Sequence, residues 1–72
     1  MNQELKNAIN RLNNAITEYE KRQEALNLGS VIGSVLGTSA TQFKTAEQLN
    51  AMTIPEINVW CASVEASLQG AG

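Results

Sequence analysis

The sequence predicts an all-α fold: a small helical bundle or hairpin built on one long N-terminal helix, with a glycine-spaced middle segment and a C-terminal helix packing back on it. Three observations carry this. Leu5, Ile9, Leu12, Ile16, Tyr19, Gln23 and Leu26 alternate spacings of four and three, the period of one face of a helix. Thr45-Ala46-Glu47-Gln48 and Thr53-Ile54-Pro55-Glu56 each match the pattern in which a threonine caps a helix and a Glu or Gln three residues on reaches back. Between these regions, Gly29, Gly33 and Gly37 recur every fourth residue, each followed by Ser or Thr.

The first element is expected over about residues 3–28, because neither Gly nor Pro interrupts it before Gly29. Read as a heptad, Ile9, Ile16 and Gln23 fall at a, and Leu5, Leu12, Tyr19 and Leu26 at d. Ala8 and Ala15 widen the seam, and Glu18 and Arg22 stand four apart in the favourable order for an ion pair. Such a seam serves either coiled-coil assembly or an ordinary amphipathic helix on its own core. Gly29 suits a stop after Leu28.

Residues 29–44 read as a helix or as a connection. Three glycines each cost a helix about 1 kcal/mol relative to alanine, so helicity here requires close packing in return. One arrangement is a helix from about Ser30 to Ala40, with Ser30 as N-cap. The other is a glycine-rich connection whose Val and Leu side chains plug the core. If helical, Gly29, Gly33 and Gly37 line one face and make a smooth groove for close helix packing.

A short helix is expected over 45–52 and a C-terminal helix over 54–69, with Pro55 in the first turn, where its missing N–H is harmless. Ile57, Cys61, Val64 and Leu68 form the apolar stripe of the last helix, with Trp60 beside it as a core plug, and Gly70 stops it. At 1.5 Å per residue the first helix is ~40 Å long and the last ~24 Å. That mismatch leaves seam uncovered and predicts self-association, a homodimer through Leu5, Ile9, Leu12, Ile16 and Tyr19.

Composition narrows function more by exclusion than by signature. A chain of 72 residues makes a single domain with a modest core, one that commonly needs a supplement. One cysteine rules out an internal disulfide, and the absence of histidine removes the commonest transition-metal ligand. Without His, neither a Ser-His nor a Cys-His nucleophile assembles. Cys61 lies on an apolar stripe and reads as a small buried hydrophobe. The Glu residues, Glu20 and Glu24 among them, read as solvated. Gly29-x-x-x-Gly33 lacks the lysine of a phosphate loop. No catalytic, metal or cofactor residues are assigned.

A net charge of −2 argues against nucleic acid, which favours a basic face. The segment from Thr45 to Ser63 has a helix-turn-helix outline, but its second helix carries neither Lys nor Arg. Ala25 to Phe43 is uncharged yet too polar for a spanning helix of ~20 apolar residues. No basic stretch followed by an apolar one opens the sequence, and the single thiol suits a reducing compartment, so the expected location is cytoplasmic. The expected function is a non-enzymatic helical protein–protein interaction module. It acts by steric binding to a larger macromolecule, in the manner of a small phage- or mobile-element inhibitor or accessory protein. Its expected partners are itself and an unidentified protein. The alternative is a membrane-associated small protein that uses its glycine-spaced segment for helix packing in or on a bilayer.

Overall fold

The computed structural model describes the backbone of residues 2–71 and the side chains of residues 2–68. Those residues form an all-helical bundle of four elements: α1 (Gln3–Asn14), α2 (Glu18–Val35), α3 (Ala46–Ala51) and α4 (Ile54–Ala71). The bundle agrees with the predicted class, but its foundation differs. The single helix expected over 3–28 is broken at Ala15-Ile16-Thr17 into α1 and α2.

Both helices that meet at the break are capped. The Asn2 side chain accepts the Leu5 N–H at the start of α1. At its end Ala15 is extended (φ −65°, ψ 138°), and its N–H reaches the Leu12 carbonyl. Thr17, also extended, opens α2: its hydroxyl accepts the Glu20 N–H at 3.1 Å and donates to the Glu20 carboxylate at 3.0 Å. Glu18 and Glu20 place negative charge in the first turn, where the helix dipole favours it.

Energetics favour the break. Interrupting a helix exchanges a few backbone hydrogen bonds for caps and water, at a net of about 1 kcal/mol each. The three-residue turn lets α1 fold back on α2, and Leu5, Ile9 and Leu12 become 1% exposed. Burying each such side chain gains about 1.5–3 kcal/mol. The part of the seam from Leu5 to Leu12 is therefore filled within one chain.

A second correction concerns the glycines. α2 does not stop at Gly29, and Ser30 is not an N-cap; the helix runs through both and through Gly33 to Val35. What carries it on is an apolar stripe of Ala25, Leu28 and Ile32, all buried, with Val35 half-buried beyond them. Gly37 marks the true end. Its φ of +94° is a left-handed conformation that favours glycine, and its N–H bonds to the Ile32 carbonyl at 3.2 Å.

α3 opens with the predicted capping box, in which Thr45 and Gln48 bond reciprocally. The Thr53–Glu56 pair repeats it before α4, with bonds of 2.7 Å (Thr53 N–H to Glu56 carboxylate) and 3.3 Å (Glu56 N–H to Thr53 hydroxyl). α4 passes Gly70 rather than stopping there, and Gly72 lies outside the described residues. Ile57, Trp60, Cys61 and Val64 of α4 join Leu49 of α3 and the α1–α2 core in one cluster, against which Leu68 packs.

Candidate functional site

The break divides the predicted self-association seam into two halves with opposite fates. Leu5, Ile9 and Leu12 are core residues of the single chain, so they offer no surface to a second one. Ile16 and Tyr19 are 86% and 72% exposed, the two most exposed of the large apolar residues among those described. Gln23 is exposed and Leu26 is half-buried.

The geometry of α2 explains the exposure. At about 100° per residue, Tyr19, Gln23, Leu26 and Ser30 fall on one side of the helix and Ala25, Leu28, Gly29 and Ile32 on the other. The second set lies in the core. In the first set Tyr19, Gln23 and Ser30 are exposed and Leu26 is half-buried against the core; with Ile16 at the α1–α2 turn they form an uncharged stripe. Charge flanks this stripe. Arg22 pairs with Glu18 at 3.7 Å, and its Nη1 donates to the Met52 carbonyl at 2.9 Å, which ties α2 to the end of α3. Arg11 pairs with Glu24 at 3.3 Å and bridges α1 to α2.

Gly29 and Gly33 form no bare groove. A methyl group added to Gly29 would lie 2.9 Å from Leu49 Cδ1 and 3.0 Å from the Lys44 carbonyl oxygen. At Gly33 it would lie 2.9 Å from Phe43 Cε1. Gly29 thus receives α3, and Gly33 receives Phe43 from the connection between α2 and α3. Gly37 has nothing within 4 Å and serves the turn instead of packing. The three glycines share a spacing but have three different roles. Among the described residues, no helix is long and apolar enough to cross a membrane.

Trp60 and Cys61 are both buried. The Trp60 Nε1 donates to the Gln42 carbonyl at 2.9 Å, which pins the same connection. Cys61 Sγ lies 3.5 Å from Asn13 Oδ1. Burial pushes its thiol pKa up, the Glu65 carboxylate adds to the rise, and Lys21 opposes it. This is the environment of a protonated, unreactive thiol. Glu56 is shifted the other way: the backbone N–H of Thr53 and then its hydroxyl stabilise the carboxylate and lower its pKa. That shift belongs to a helix cap. Glu20 and Glu24 have separate partners, Thr17 and Arg11, and among the described residues no three of His, Cys, Asp and Glu gather where they could hold a metal ion.

Thr17-Glu18-Tyr19-Glu20 has the same pattern as the boxes at Thr45 and Thr53, and it marks the start of α2. Ala25, Leu28, Ile32 and Val35, spaced three, four and three, mark the core face of α2 through the glycines. Compared with known protein families, with curated proteins and with solved structures, the chain matches none of them.

Proposed function

We propose that this protein is a non-enzymatic helical interaction module that acts by steric contact, and that it pairs with a second copy of itself through Ile16, Tyr19, Gln23 and Leu26. The observation that carries this reading is the placement of two large apolar side chains, 86% and 72% exposed, three residues apart across the capped start of α2. Single exposed apolar residues are ordinary on a protein surface, whereas two neighbouring large ones continued by an uncharged stripe favour a contact surface. Tyrosine in particular brings area with little rotamer entropy to lose, which suits it to an interface anchor.

The stripe is uncharged along its centre and bordered by side chains already paired within the chain, Arg22 with Glu18 and Arg11 with Glu24. A neutral stripe of this kind suits a self-complementary contact, because a two-fold axis brings each patch against its own copy. The remaining faces are left for a larger macromolecule.

Light scattering coupled to gel filtration, over a concentration series, tests the reading. The wild-type protein is expected to show a dimer mass that falls to a monomer mass on dilution. The double variant Ile16→Ser/Tyr19→Ser should stay monomeric at every concentration with an unchanged helical circular-dichroism spectrum. A monomeric wild type throughout the series would overturn the pairing, as would a double variant that still dimerises.

A further inference from the structure

We draw no further inference here: the strongest candidate, the open cleft of about 160 Å³ between α1 and α2 lined by Glu4, Asn7, Ala8, Arg11, Asn27 and Val31, has a solvated rim with no buried polar side chain aimed into it and an Arg11 already paired with Glu24, and nothing in the structure shows what would occupy it.

Discussion

Leu5, Ile9 and Leu12 differ from Ile16, Tyr19 and Gln23 in place but not in spacing. The two triplets continue a single alternation of four and three, yet the first lies in the core and the second on the surface. A period defines a common face only while the helix is continuous. Three non-helical residues at Ala15-Ile16-Thr17 reset the rotation, and α2 then orients by its own stripe of Ala25, Leu28 and Ile32. An apolar heptad thus reports where a helix could bury a face, and the caps report whether the helix lasts long enough to use it.

Substitution should separate the two halves most sharply. Ile9→Ala or Leu12→Ala removes buried methyl groups and leaves a cavity, so each should destabilise the fold by about 2–5 kcal/mol. Ile16→Ser, compared with the wild type at a concentration low enough for both to be monomeric, should stay within about 0.5 kcal/mol, as a surface change does. Urea denaturation of the three variants checks this. Similar losses at Ile9 and Ile16 would mean that the seam is continuous after all.

The glycines make the next contrast. Gly29→Ala drives a methyl against Leu49 and the Lys44 carbonyl, and overpacking of this kind costs about 1–3 kcal/mol. Gly33→Ala meets the end of the Phe43 ring, a side chain freer to move than a backbone carbonyl, and the ~1 kcal/mol that alanine gains over glycine inside a helix offsets the contact, so its net effect should be near zero. Gly37→Ala has space but must hold φ near +94°, for about 1–2 kcal/mol. Thermal melts should show losses for Gly29→Ala and Gly37→Ala and little change for Gly33→Ala. If Gly37→Ala melts like the wild type, the left-handed turn is wrong.

A smaller effect tests the break itself. Thr17→Ala removes the acceptor for the Glu20 N–H and should cost about 1 kcal/mol, read as a lower urea midpoint. A stabilised variant would indicate that the helix prefers to run through this position.

The smallest effects are those of pH and thiol chemistry. Because the folded pKa of Glu56 lies below its unfolded value, its contribution is present above the unfolded pKa and is lost as pH falls through the folded one. Glu56→Gln should therefore flatten a slight acid-side loss of stability at the α4 cap. Cys61 behaves in the opposite sense. Its raised folded pKa means that stability is full below the unfolded thiol pKa and falls as pH rises toward the folded one. In the native protein Cys61 should resist alkylation by iodoacetamide and react at once in urea. Rapid labelling of the native state would show that α4 is not seated over Asn13.

Much of the fold was legible in the residues. The reciprocal threonine boxes locate α3 and α4 to within a residue or two of their starts, because a cap is a local device with its own chemistry. The apolar stripe of α4 is legible for the same reason. The end of α2 was not, since two glycines inside a helix are tolerated only where Leu49 and Phe43 cover them, and those contacts come from residues about ten to twenty positions away in sequence. The proposed contact surface was half legible. Spacing selects Ile16 and Tyr19 together with Leu5, Ile9 and Leu12, and only the turn at Thr17 separates surface from core.

The central claim is that the chain doubles back at Ala15–Thr17, and one distance tests it. Spin labels at Asn7→Cys and Asn27→Cys, in a Cys61→Ala background and diluted into unlabelled protein, report the separation within a single chain by double electron–electron resonance. Both residues line the same cleft between α1 and α2, so the hairpin predicts a short distance, below about 20 Å. A continuous helix would hold them about 30 Å apart, and a narrow peak there would contradict the break and everything drawn from it.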